Sequence, residues 1–183
     1  MKEYIRSIHE TTKLIINKVV DETEIERFSK SDTRWVKWRN SDFNRNKKFR
    51  KGSVYQIEFG KNFVPEMSYE HRGLVIGMNK HLLYVLPIFT YRPNKAKDVY
   101  NPETNPKGNL YLLKATDHSF IKHDSLLKLN DLRTISIKRV IYHQDDGSID
   151  IESEEFKKII ELVAEKYFPT LMHELESYRQ LEQ

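Results

Sequence analysis

The chain contains no cysteine. That excludes disulfides and thiolate metal sites, and makes a reducing compartment, the cytoplasm, the expected location. No stretch approaches the roughly 20 consecutive apolar residues that cross a bilayer. The opening Met1-Lys2-Glu3-Tyr4-Ile5-Arg6 lacks the apolar centre of a secretory signal. A soluble protein without a membrane partner is therefore expected. Glycine and proline are scarce, at six each in 183 residues, and there is no internal repeat or low-complexity tract. The length suits one core-forming domain with an accessory element.

Charge is present in quantity and unevenly placed. The net charge is +4, yet residues 27–51 carry ten Lys/Arg against two Asp, and residues 144–183 carry eleven Asp/Glu against four Lys/Arg. A basic belt points to a polyanionic partner; the alternative is a solvated linker.

Residues 3–29 read as a helix. Ile5, Ile8, Thr12, Ile15 and Val19 recur at three- and four-residue steps, widened by Ile16 and Val20, a stripe expected to pack on the protein's own core or form a dimer seam. Residues 30–50 are polar and read as a loop or short helix. They place Trp35 and Trp38 among Arg34, Lys37, Arg39, Lys47, Lys48 and Arg50. Bases stack on indoles while cations hold phosphates, so these residues are candidates for RNA binding; alternatively the tryptophans pin the segment to the domain.

From Gly52 the texture changes to strands. Ser53–Phe59, Arg72–Gly77, Leu82–Phe89 and Leu110–Ala115 are rich in β-formers, with Ser125–Leu129 and Val140–His143 as shorter candidates. Met78-Asn79-Lys80-His81 is the expected turn between two of them. Residues 91–109, with Pro93, Pro102, Pro106 and Gly108, read as a long exposed loop. A closing helix follows Ser153, an N-cap with Glu154 and Glu155 behind it. It presents Phe156, Ile159, Ile160 and Val163 as its apolar face. Pro169 should interrupt it near Tyr167, after which Leu171, Met172, Leu175 and Tyr178 form a second helical face. Short strands with terminal helices predict a mainly β fold, a small and partly open barrel. Residues 1–50 form a helical and basic extension, and residues 51–183 the barrel with its C-terminal helices.

Four fragments, in order, resemble the MazF/PemK toxins of toxin–antitoxin systems over roughly residues 50–165. Lys51-Gly52-Ser53-Val54-Tyr55 is similar to the family's opening. His71-Arg72-Gly73-Leu74-Val75-Ile76 is similar to its Arg-Pro-Val-Leu-Val-Ile strand. Leu86-Pro87-Ile88-Phe89-Thr90 stands where a strand ends in a catalytic Thr or Ser. His123–Val140, with Asp131-Leu132-Arg133-Thr134-Ile135 inside it, is similar to Asp-Ser, an apolar strand, then Gln-x-Arg-Thr-Ile-Asp-x-x-Arg. The resemblance implies an SH3-like barrel homodimer that cuts single-stranded RNA at short sequences. It implies metal-independent cleavage, with the ribose 2′-OH as nucleophile and cyclic phosphate and 5′-OH ends, and a protein antitoxin that occupies the RNA groove. The chain departs from the pattern in four places. Gly73 replaces Pro, Phe63–Glu70 replaces a Gly-rich loop, the loop 91–109 is longer, and the first 50 residues have no counterpart in short members.

RNA self-cleavage requires removal of the 2′ proton, stabilisation of the pentacoordinate phosphate and protonation of the departing 5′ oxygen. Arg72 is the candidate for stabilising charge, since a guanidinium offers a phosphate two parallel donors and stays charged; the alternative is a strand-end salt bridge to Glu66 or Glu70. Thr90, where an apolar strand meets a polar loop, is the second catalytic candidate. Strand alternation puts Glu70 on Arg72's face and His71 on the other, so Glu70 or Glu66 is the expected proton acceptor. His118 and His123 are expected to face solvent. Asp131, Arg133 and Thr134 are expected to support the site, with Asp131 and Arg133 pairing and Arg133 bonding backbone. The histidines form no metal-ligand spacing with carboxylates, so neither metal nor other cofactor is expected. Two other readings stay open: a catalytically inactive MazF-like module that binds nucleic acid or protein, and an inhibitory or dimer-forming role for residues 1–50.

Overall fold

Two apolar runs, either side of Met78-Asn79-Lys80-His81, form the hairpin at the centre of the sheet. The structure, a computed structural model, describes residues 2–18, 21–39, 41, 48–142 and 145–173. Strand β2 spans Glu70–Asn79 and β3 spans Leu82–Thr90. Lys80 takes a left-handed φ of 53° in the turn between them. β1 (Ser53–Glu58) lies against β2, and the two-residue β7 (Gly147–Ser148) lies against β1. The far side of β3 is divided. Its C-terminal half (Ile88–Thr90) pairs with β5 (Ser125–Lys128), which carries β4 (Leu110–Leu113). Its N-terminal half (Leu82–Val85) pairs with β6 (Arg133–Ser136). All these pairings are antiparallel, and the sheet curls into a half-barrel.

Alternation along the strands builds a core on each face. Val54, Leu74, Leu86 and Ile88 pack with Phe156, Ile159, Leu162 and Val163 of α3 (Glu154–Tyr167). Tyr55, Ile57, Val75, Val85, Ile135 and Val140 form the second cluster. Burying such side chains contributes about 1.5–3 kcal/mol each. The Ser153 hydroxyl caps α3 by accepting from the Phe156 amide at 3.1 Å. The helix stops at Tyr167, two residues before Pro169. A helical turn resumes over 169–173; Leu175 and Tyr178 lie outside the described residues.

The N-terminal reading needs correction. Residues 3–29 are not one helix: α1 spans Lys2–Lys18 and α2 spans Glu22–Arg39. Asp21 restarts the helix, its carboxylate accepting from the Thr23 amide at 2.9 Å, as an N-cap does. Ile8 is 50% exposed and Thr12 is exposed, so these positions of the α1 stripe are not in the core; Val19 and Val20 lie outside the described residues. Trp35 and Trp38, placed by sequence on a loop or short helix, belong to the last turns of α2.

α2 is fixed to the sheet by polar contacts. Ser31 donates to Glu58 at 3.1 Å, and Arg34 pairs with Glu58 at 3.0 Å and with Glu70. Lys61 pairs with Asp32 and lies over the Phe28 ring at 3.7 Å. The Lys138 ammonium donates to the carbonyl of Trp38 at 3.2 Å. Val140–His143 is not a strand among the described residues: 137–139 is a 3-10 turn, Val140 makes a single bridge to Ile57, and His143 lies outside the described residues. The long loop contains a 3-10 turn at Pro93–Lys95 and two isolated bridges. No helix among the described residues is long and apolar enough to cross a membrane.

Candidate active site

The site follows from a parting of strands. The β2–β3 ladder ends with the pair Arg72 and Ile88. Beyond it, His71 and Glu70 continue against β1, while Phe89 and Thr90 continue against β5. An open cleft of about 750 Å³ lies at this divergence. It is lined by residues 70–72 and 88–90, by Gln56 of β1, by Arg27 of α2, and by Arg92, Tyr142 and Asp146. Arg72, Thr90 and Glu70, candidates from sequence, are brought together here.

Arg72 stands level with Gln56 on one side and Ile88 on the other. Its Nη1 donates to the Phe120 carbonyl at 2.9 Å. A guanidinium has five donor hydrogens, so this one anchor orients the group without exhausting it. The expected alternative partners, Glu66 and Glu70, are engaged elsewhere. Gly73, where the family motif has Pro, has a packing reason. A Cβ there would lie 2.4 Å from Val85 Cγ1 and 2.9 Å from Ile57 Cδ1, so no side chain fits without displacement.

Glu70 is a poor proton acceptor here. One oxygen accepts from Gln56 Nε2 at 3.0 Å and the other from Arg34. Partial burial acts to raise its pKa, but the Gln56 and Arg34 hydrogen bonds and the Arg34 and Lys30 charges outweigh it and hold the carboxyl below the usual glutamate range. Glu66 is not at the cleft. It lies 3.4 Å from Arg133, in a loop that folds against the β5–β6 connection.

His71 corrects the alternation argument. It does line the cleft, because a gap between diverging strands is bordered by both faces of the sheet. Burial, with the charge of Arg27, pushes its pKa below the ordinary histidine value against the opposing pull of Glu70 and Glu58. The shift favours the neutral imidazole, the form that takes up a proton. Asp146 lines the same cleft. Burial raises its carboxyl pKa; Arg72 opposes and Asp145 adds.

The remaining candidates lie apart from the cleft. Arg34 is committed to Glu58 and Glu70. Trp35 is 55% exposed with Arg39 over its ring at 5.1 Å, and Trp35 and Trp38 border a separate hollow of about 280 Å³ with Lys61 and Arg139. Lys37 and Lys48 are exposed, Arg50 pairs with Asp145 at 3.0 Å, and Lys47 lies outside the described residues. Asp131 and Arg133 pair at 2.5 Å, as their shared face predicts, and Thr134 is exposed on β6. Arg133 bonds carboxylates, where sequence reading expected backbone; it is Asp131 that reaches backbone, accepting from the Met67 amide at 2.7 Å. His118 is buried and contacts Glu155 at 3.1 Å rather than facing solvent; His123 is exposed.

Among the described residues no group of three or more histidines and carboxylates is placed to hold a metal ion. Gln56, Arg27, Arg92 and Asp146 were not singled out by sequence, and His71 was weighed there but placed on the opposite face from Arg72. The strand-period pattern gave no sign of the divergence that collects them, and Asp146 sits in an acid-rich stretch where no single carboxylate stands out. No protein-family model matches the chain, and no curated protein matches it.

Proposed function

We propose that the protein is a metal-independent endoribonuclease that cuts single-stranded RNA, acting as the toxin of a toxin–antitoxin pair in the manner of the MazF/PemK proteins it resembles. The observation that carries the reading is Arg72: one donor fixed on a backbone carbonyl, the rest of the guanidinium at an open cleft shared with Thr90 and His71. In this reading the 2′ oxygen gives its proton to His71 and attacks the adjacent phosphorus. Arg72 and the Thr90 hydroxyl stabilise charge on the phosphoryl oxygens. The P–O5′ bond breaks, leaving a cyclic phosphate, and the proton taken up by His71 returns to the departing oxygen, directly or by way of Asp146, which lines the same cleft. The SH3-like barrel type, the homodimer and the antitoxin in the RNA groove belong to the same proposal.

The test is incubation of purified protein with mixed-sequence RNA in EDTA. Cleavage to cyclic-phosphate and 5′-OH ends is expected, with Arg72→Ala slower by about 100- to 1000-fold, as for loss of a charge-stabilising donor. Intact RNA with folded wild-type protein would overturn it. The full engagement of both Glu70 oxygens favours a second reading, a cleft that binds RNA without cutting it; salt-dependent retention of uncut RNA would establish that instead.

A further inference from the structure

Three arginines reach the cleft from separate parts of the chain: Arg27 from α2, Arg72 from β2 and Arg92 just after β3. Arg27, Ser31 and Arg34 stand at positions i, i+4 and i+7 of α2, which is one helix face. Ser31 and Arg34 fix that face on Glu58 and Glu70. Arg27, one turn before Ser31 on that face, lines both the cleft and the adjoining hollow where Arg34 meets Glu58 and Glu70. Neither Arg27 nor Arg92 forms an ion pair with a carboxylate among the described residues. Glu70, the carboxylate nearest in sequence to Arg72, is already neutralised by Arg34. Arg27 shares the cleft lining with His71, and its charge adds to burial in lowering the His71 pKa. Three guanidinium groups converging on one opening, against the two carboxylates Glu70 and Asp146, are suited to successive phosphates of a nucleic-acid strand.

We propose that Arg27 and Arg92 bind the phosphates neighbouring the scissile one, so that the N-terminal helical segment is part of the substrate site rather than an appendage to it. This rests on the nuclease reading for which phosphate is cut, but the contacts themselves are measurable without cleavage. They also relocate strand binding from the Trp35–Arg50 stretch to the α2 face one to two turns earlier.

The experiment uses the full chain in EDTA with a fluorescent 2′-O-methyl single-stranded oligonucleotide, which has no free 2′-OH and is not cut. Affinity is read by anisotropy across a salt series. Arg27→Gln and Arg92→Gln are each expected to weaken binding by about fivefold or more and to flatten the salt slope by about 0.7, the value for one single-strand phosphate contact. Arg27→Lys should keep the slope, and Lys48→Gln, outside the cleft, should leave both quantities unchanged. Unaltered affinity and slope in both glutamine variants, or no binding by the wild type, overturns the proposal. Ordinary RNA is assayed in parallel. Arg27-dependent binding without cleavage by the wild type rejects the nuclease reading alone, whereas cleavage with binding indifferent to Arg27 and Arg92 rejects this inference alone.

Discussion

Arg34 in α2 and Glu70 at the first position of β2 form an ion pair across 36 residues of sequence, and the same guanidinium holds Glu58 of β1 at 3.0 Å. One side chain thus ties the N-terminal helix to two neighbouring strands beside the cleft. Glu58 is 4% exposed, so losing Arg34 leaves its buried carboxyl with only the Ser31 hydroxyl and the Gly60 amide as side-chain and backbone donors among the described residues. Arg34→Ala should cost about 3 kcal/mol, the scale for breaking a buried ion pair from one side, and should loosen α2. Urea denaturation measures the first effect and proteolysis within α2 the second; an unchanged midpoint would show that the helix docks by other means.

The Glu70 carboxyl gives this docking an acid limit. Its folded-state pKa is depressed, so its contribution to stability is fully present above the unfolded glutamate value of about 4.3 and is lost as pH falls through that value toward the folded pKa. Glu70→Gln should remove part of the acid sensitivity. Thermal melts of wild type and variant between neutral and acid pH should therefore converge as pH falls; parallel curves would contradict the assignment.

His71 should titrate below the ordinary histidine value of about 6.5, because its folded pKa is lowered. The sign is that the unfolded chain binds the proton more readily, so stability falls as pH drops from above 6.5 toward the folded value. Cleavage should fall over the same acid range as the imidazole becomes charged. Ring-proton NMR titration of His71 reports the midpoint, and Arg27→Gln should move it upward. A midpoint at or above the ordinary value would contradict the burial and Arg27 charge assigned to His71.

Gly73→Ala should destabilise the curled sheet by about 1–3 kcal/mol, the usual cost of overpacking, since the added methyl lies 2.4 Å from Val85 Cγ1. The displacement would also reach Arg72, the next residue in β2. Both denaturation midpoint and cleavage rate should drop, the rate by more than the unfolded fraction explains.

Asp131→Ala should have the opposite profile. Asp131 is 6% exposed and serves the Met67 amide and Arg133. Removing it leaves a buried donor without its acceptor, at about 1–3 kcal/mol. The cleft shares none of these groups, so the variant should melt earlier yet cut RNA at the wild-type rate below its transition. A lost rate with intact fold would return the Asp131–Arg133 pair to the mechanism.

The parts of the molecule readable from sequence are those fixed by local pattern. The β2–β3 hairpin was legible because two apolar runs flank a polar turn, and α3 because Ser153 precedes a helical apolar face. The pairing of Asp131 with Arg133 followed from their two-residue spacing. What escaped depends on contacts distant in sequence. Asp21 breaks the N-terminal helix without interrupting its hydrophobic rhythm, and α2 is placed by charges on Glu58 and Glu70 that no periodicity reveals. His71 was set aside because alternation puts it opposite Arg72, yet where β2 and β3 part, beyond Arg72, the cleft is bordered by both faces.

The two walls of the cleft differ in how they open. β3 is hydrogen-bonded along both edges, to β2 on one and to β5 and β6 on the other, so its amides should exchange with solvent only when the whole domain unfolds. Asp146 precedes a strand of two residues, held to β1 through Ser53 and Val54. Such a segment exchanges by local opening at far lower free energy. The cleft should therefore pair a fixed wall with one that opens locally, and the wall that opens is the one carrying Asp146.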